Sequence, residues 1–420
     1  MPSETRAGRA WLQPTVLAVT GLSIASGFAS FGVTAALGDV ATAFGEPDPE
    51  QSVAALAGLT GTTVGVGLAI IRLASLAALP LAGLADRAGR RRVILTCCAA
   101  GLGFTVVAAL SPSFWWFVAL FALARPLLSA TNALAAVIAA EETRSLDRSK
   151  AIAMVTAGYA LGAGLTALVR LAIPEALGFR GLFAMVLVPM VLVPLIGRGL
   201  RESRPFVNLH PTGTVAPRLG AVRPDLRGRL AVLFAVHLGF GFVTGPINTN
   251  LFWYGENVLG MSAGAMALVF LVAAPAGLVG LLAGRWAADR LGRRVSAGVA
   301  MVGTALAGTV TYSGAAGALA VGYIASIVAA AAYAPAAGAL DAELFPTSQR
   351  ATAAGWVTAA NIIGAVLGLV AFGVLIDAFG AFTPAALTIA VPVVLTALLY
   401  TLVPETRGLE LEESAPEPDR

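Results

Sequence analysis

Twelve apolar runs follow one another along this chain, at residues 12–37, 53–82, 93–110, 114–140, 150–173, 181–198, 229–254, 262–284, 295–313, 316–340, 351–376 and 382–403. About 20 residues of helix cross the hydrocarbon of a bilayer. No water reaches the backbone there, so each run must close its own hydrogen bonds as a helix. The expected fold is therefore an all-α membrane protein with twelve transmembrane helices. Composition agrees: charged residues make up 12% of the chain, against about 25% in a soluble domain. Glycine and alanine recur in every run, and such small residues let membrane helices approach closely. Trp11–Leu37 is too long for the apolar region of a signal peptide and no small-residue cleavage site follows it, so it reads as the first span.

The same composition excludes several functions. Cys97 and Cys98 are adjacent inside an apolar run, which suits neither a disulfide nor a metal site. Gly61–Gly67 is glycine-rich but lacks the Lys-Ser/Thr ending of a phosphate loop. With two histidines in all and no clustered acids, an enzyme, a metal site or a cofactor is not expected.

The polar joints between the runs repeat. GLADRAGRRRV at Gly83–Val93 is answered by GRWAADRLGRRV at Gly284–Val295, which places Asp86 and Asp289 203 positions apart. Glu141 and Arg148 bracket one loop, and Glu343 and Arg350 bracket another 202 positions on. Glu202-Ser-Arg204 and Glu405-Thr-Arg407 close the two sets. Two pseudo-symmetric six-helix bundles are expected at 12–198 and 229–403, with an amino terminus at 1–11, a linker at 199–228 and a tail at 404–420. The linker carries Pro205, Pro211, Pro217 and Pro224 among scattered arginines, and reads as a tether able to lie on anionic lipid. The acidic tail reads as disordered.

Of 27 Lys and Arg residues, only Arg72, Arg125, Arg170 and Arg180 fall within spans or at the outer ends; the other 23 lie in the termini, the linker and alternate loops. By the positive-inside rule both termini are cytoplasmic. An even number of spans follows, in agreement with the twelve runs. The location expected is the cytoplasmic (inner) membrane. The basic residues sit between spans, where they orient the protein and offer no site for nucleic acid.

GLADRAGRRR after the second run, AADRLGRR after the eighth and ELFPTSQR after the tenth together resemble the major facilitator superfamily. PETRG after the last run looks like the ending of its sugar porters and metabolite–proton symporters. The resemblance covers nearly the whole chain. It implies two bundles around a central site that opens to each side in turn, lined by the first, fourth, seventh and tenth helices. It assigns a gating latch to Gly83, Asp86, Arg90, Asp289 and Arg293, and a charge network to Glu141, Arg148, Glu343 and Arg350. The latch has a physical basis, because a carboxylate just past one helix can cap the positive amino terminus of another.

A solute must be held by polar groups at mid-depth. Arg72 and Arg125 each lie about 16–18 Å along their helices from the nearer end, and an arginine at that depth costs at least about 2.5 kcal/mol. No Asp or Glu falls in the central third of any run drawn above. An anionic solute such as a carboxylate would supply the missing charge to these guanidiniums. Ser129 and Asn132 share a face with Arg125. Position 125 also resembles the fourth-helix arginine of sugar porters, which answers a first-helix acid used for proton coupling. This chain departs from that pattern: Ser26 and Ala29 stand where the acid would be, and only Asp39 remains, near the outer end. In the seventh run His237, Thr244 and Asn248 lie roughly on one face, and Gly245-Pro246 should break or kink the helix and free a backbone carbonyl. Tyr333 is a further candidate from the tenth run. His237, with an unperturbed pKa of about 6.5, and Asp39 are the proton-coupling candidates.

The function expected is secondary transport of a small solute by alternating access, the solute being an organic anion held by Arg125 and Arg72. A neutral sugar or polyol, or an exported drug, stays open as the alternative, as does a non-transporting membrane sensor of the same fold. Protons and membrane lipids are the other expected partners, with the monomer as the working unit.

Overall fold

The computed structural model describes residues 12–45, 58–143, 145–200 and 222–409. Among them no strand occurs. The expected series of helices is present: α1 Pro14–Ala35, α2 Gly61–Ala85, α3 Arg90–Ala108, α4 Phe114–Glu142, α5 Ser145–Ala172, α6 Gly178–Arg198, α7 Arg227–Thr249, α8 Ala263–Leu291, α9 Arg293–Thr311, α10 Ala316–Glu343, α11 Thr347–Phe379 and α12 Phe382–Leu402. Eleven are both long and apolar enough to cross a bilayer. The exception is α9, whose 19 residues begin with two arginines and include several hydroxyls. Thr304 and Thr311 turn those hydroxyls back onto the carbonyls of Ala300 and Ala307 at 2.8 and 3.1 Å. Those two hydroxyls are thus satisfied inside the helix, and α9 completes the twelve. Residues 46–57, and with them the start drawn for the second run, lie outside the described residues, as do most of the linker and the tail beyond 409.

By packing, the chain falls into two compact units: Met1–Val40 with Ala74–Ala216, and Ala41–Leu73 with Pro217–Arg420. The second helix is therefore shared, and a 3-10 turn at Ser75–Ala77 interrupts it just past the division. In the first unit α1 lies on α5 at backbone contact. A Cβ on Gly162 would overlap the carbonyl of Ile24, and one on Gly27 would overlap that of Tyr159. The second unit repeats this with α7 and α11, where Gly364 faces the carbonyl of Leu238 and Gly241 that of Asn361. Dispersion at such close approach is what binds helices in lipid, where burial from water contributes nothing. Gly162 and Gly364 stand 202 positions apart, so the displacement seen in the loops extends into the packing.

The turns repeat as well. Gly89 between α2 and α3 has φ 93°, and Gly292 between α8 and α9 has φ 98°. Only glycine enters that region freely, which accounts for the glycine in both copies of the basic loop.

Candidate functional site

The basic loops come first, because they fix the helix ends. In the first unit Arg90 forms an ion pair with Glu141 across α3 and α4, while Arg91 donates to the carbonyls of Leu200 and Gly197 at 2.7 and 3.3 Å. In the second, Arg293 reaches Glu343 at 3.5 Å and Asp289 at 3.7 Å. Arg294 donates to the carbonyls of Tyr400 and Thr401 at 2.9 and 2.7 Å. Glu405 accepts from the amides of Arg293 and Arg294 at 2.9 and 3.2 Å and so caps α9. Thr406 donates to Glu343. Arg350 donates to the carbonyls of Ala342 and Phe345, at the end of α10. Every one of these contacts closes within one unit. Gly83 is half-buried on α2 and the backbone of Asp86 is helical. The side chains of Asp86 and Arg148 lie outside the described residues.

Inside the first unit one helical face stands out. Arg125 sits near the middle of the 29-residue α4, half-buried. Pro126, next to it, has no N–H to give the carbonyl of Ala122. The Arg125 guanidinium and the Ser129 hydroxyl have no hydrogen-bond or ion-pair partner among the described residues. Asn132 accepts from Ser23 of α1 at 2.5 Å through its Oδ1, so its amide hydrogens stay available. Ser26 donates to the carbonyl of Leu128 at 2.8 Å and ties α1 to this face. Three donors one and two turns apart are thus held in place and left unspent. An aromatic cluster of Phe117, Phe121, Phe179 and Phe183 closes the bundle toward the start of α4.

Asp39 is placed differently. It lies on a short helix, Leu37–Phe44, after α1, and takes a two-pronged contact from Arg170 of α5, at 2.9 and 3.3 Å. Arg72 belongs to the second unit and is half-buried in the last turn before the 3-10 break. It takes part in a polar interaction within the protein.

The second unit uses its polar groups internally. Thr244 donates to the carbonyl of Phe240 at 2.8 Å, and Asn248 donates to that of Thr244 at 2.9 Å. Pro246 sits inside α7 without ending it, and the Tyr312 hydroxyl donates to the carbonyls of Pro246 and Ile247, at 3.0 and 3.3 Å. His237 is buried, its Nδ1 against the carbonyl of Leu233 at 2.9 Å and its Nε2 against Asp341 at 3.2 Å. Tyr333 is buried too, stacked on Phe240 at 3.9 Å between centroids, with its hydroxyl 2.7 Å from that of Tyr400.

The contacts of two acids were not legible in the sequence. Asp341 falls one residue past the run drawn to 340, but α10 continues to Glu343 and carries it inward against His237. Asp377, near the end of α11, accepts from the amides of Gly61 and Thr62, each at 2.7 Å, and caps α2. The signal for the first was the lone intramembrane histidine, which needed a partner. The second pairing spans more than 300 residues, and nothing local announces it.

Comparison with known proteins agrees with this architecture. The family model described as Major Facilitator Superfamily matches residues 17–294 and 267–418. A probable 4-methylmuconolactone transporter of Cupriavidus pinatubonensis is 27% identical over 376 residues, covering 84% of this chain and 85% of that protein. Among solved structures, the inward open xylose transporter XylE from E. coli aligns with a TM-score of 0.75 at 18% identity, over 95% of this chain and 98% of the other. A bacterial homologue of the human lysosomal transporter Spinster aligns with a TM-score of 0.70 at 19% identity, over 92% and 95%. These relatives are transporters, not enzymes. With twelve helices, a doubled basic loop and a matching family model over nearly its whole length, the chain belongs to the major facilitator superfamily.

Proposed function

We propose that this transporter carries a small organic anion by alternating access, the carboxylate resting on Arg125 with Ser129 and Asn132 beside it. The observation that supports the reading is the set of unspent donors on that face of α4. A guanidinium presents paired N–H groups that fit a carboxylate, and a charge at that depth is costly until the solute arrives. The relative named for 4-methylmuconolactone points the same way, since a muconolactone carries a carboxylate at neutral pH. The staples at Arg90–Glu141 and Arg293–Glu343 suit two units that move as bodies, with Asp86 and Asp289 as the latch between cycles. Arg72 is a second cationic candidate and is assayed on its own.

The test is uptake of radiolabelled 4-methylmuconolactone by purified protein in liposomes. Arg125→Ala should weaken binding by about 2 kcal/mol, roughly 30-fold, while Arg72→Ala reports separately. If a neutral sugar such as xylose is carried and Arg125→Ala leaves it unaffected, the anion reading gives way to the sugar one.

A further inference from the structure

The contact between His237 and Asp341 constrains where hydrogens sit. The carbonyl of Leu233 can only accept, so Nδ1 of His237 at 2.9 Å must carry a hydrogen. Nε2 then faces Asp341 Oδ2 at 3.2 Å. If the imidazole were neutral and the carboxylate ionised, two lone pairs would meet there inside the bundle. One hydrogen between them removes the clash, whether it resides on Nε2 or on Oδ2.

We infer that His237 and Asp341 form a one-proton site whose filling and emptying couples solute movement to a proton gradient. The inference rests on the transport reading above but not on which solute is carried. Loaded, the pair is a closed hydrogen bond between α7 and α10. Emptied, it leaves two acceptors facing each other, and α7 and α10 are driven to part at that point. The energy of the proton is thereby delivered to two helices of one unit. The other Asp341 oxygen, Oδ1, is buried without a hydrogen-bond partner among the described residues, so the carboxyl is held by His237 alone.

The neighbours are compatible with a single exchangeable proton. From α10, Tyr333 meets the His237 ring edge-on at 5.9 Å. From α12, Tyr400 binds Tyr333, and Thr396 lies beside Gly239. Further along α7, Gly239 also meets Met301 of α9 and Gly241 meets the carbonyl of Asn361 of α11, while Trp356 of α11 lies against Phe234. The helix α8, packed on α10, carries Arg285, Asp289 and Arg290, of which Asp289 pairs with Arg293. Asp341 is the only carboxylate in contact with His237 among the described residues.

The chain has two histidines, so a His210→Gln background labelled with 15N-histidine gives a single imidazole signal by NMR. Asp341→Asn in that background should lower the midpoint of His237 by at least about one pH unit, a tenfold loss in proton affinity. In liposomes, with 4-methylmuconolactone as probe, Asp341→Asn and His237→Gln should keep solute counterflow and lose accumulation driven by a pH gradient. An unchanged midpoint in Asp341→Asn, or gradient-driven accumulation retained in both variants, overturns the inference. If Asp341→Asn does not fold, His237→Gln carries the liposome arm and Asp341→Glu should restore coupling. If wild type ignores the probe, the anion reading fails while the NMR arm still decides the proton site.

Discussion

The two units are built to one plan and spend their polar groups in opposite ways. On α4 of the first, Arg125 and Ser129 have no partner among the described residues, and Asn132 keeps its amide hydrogens. On α7 of the second, Thr244, Asn248 and His237 are all engaged, and Tyr333 of α10 is bound to Tyr400. A donor already bonded inside its own helix has little to offer a solute, because taking it costs the existing bond. An unspent donor has its desolvation cost repaid only on binding. The contrast supports the proposed division of labour, an anion gripped by the first unit and a proton held by the second.

The comparison can be broken first at its common plan. Val at Gly364 should push α7 from α11, and Val at Gly162 should push α1 from α5. Each should destabilise by about 3 kcal/mol, at the upper end for overpacking, read as a fall in thermal midpoint in detergent. Unequal losses would mean that the units are not packed alike. The division of labour is tested next. Arg125→Ala should weaken anion binding roughly 30-fold, with Arg125→Lys in between because the fork is lost but not the charge. Asn248→Ala should leave affinity within about twofold, about 0.4 kcal/mol, when bound 4-methylmuconolactone is measured by scintillation proximity. An effect smaller than that of Arg125→Ala probes the loops. Glu405→Gln removes a charged cap from α9 and should cost about 1 kcal/mol. Glu202→Gln, at the matching position of the first half, should cost the same in the same melting assay if the plan extends there.

Much of this was readable from the chain. Lipid forces apolar runs into helices, so the twelve spans followed from hydropathy, and the displacement of about 200 residues between basic loops announced the duplication. What escaped was pairing at long separation. Asp39 meets Arg170 across 131 positions and Asp377 caps α2 across more than 300; neither has a local pattern. Asp341 was missed for a different reason. A hydropathy run ends where charge begins, but a helix can continue when its acid finds a partner, as α10 does. The division of α2 between units is likewise invisible in a sequence that reads as one unbroken apolar stretch. At the candidate site, residue type and spacing flagged Arg125, Ser129 and Asn132 together, whereas the engagement of Thr244 and Asn248 with their own helix needed coordinates.

The carboxyl end of the chain closes a joint made much earlier. Glu405 caps α9, Thr406 secures Glu343 and Arg407 donates to the carbonyl of Arg290 at 2.8 Å. A ribosome still holding these residues in its exit tunnel therefore leaves the start of α9 unfastened. The later half of the protein can be inserted before that joint is locked, so a chain cut just before Glu405 would be a fully threaded yet loosely sewn product.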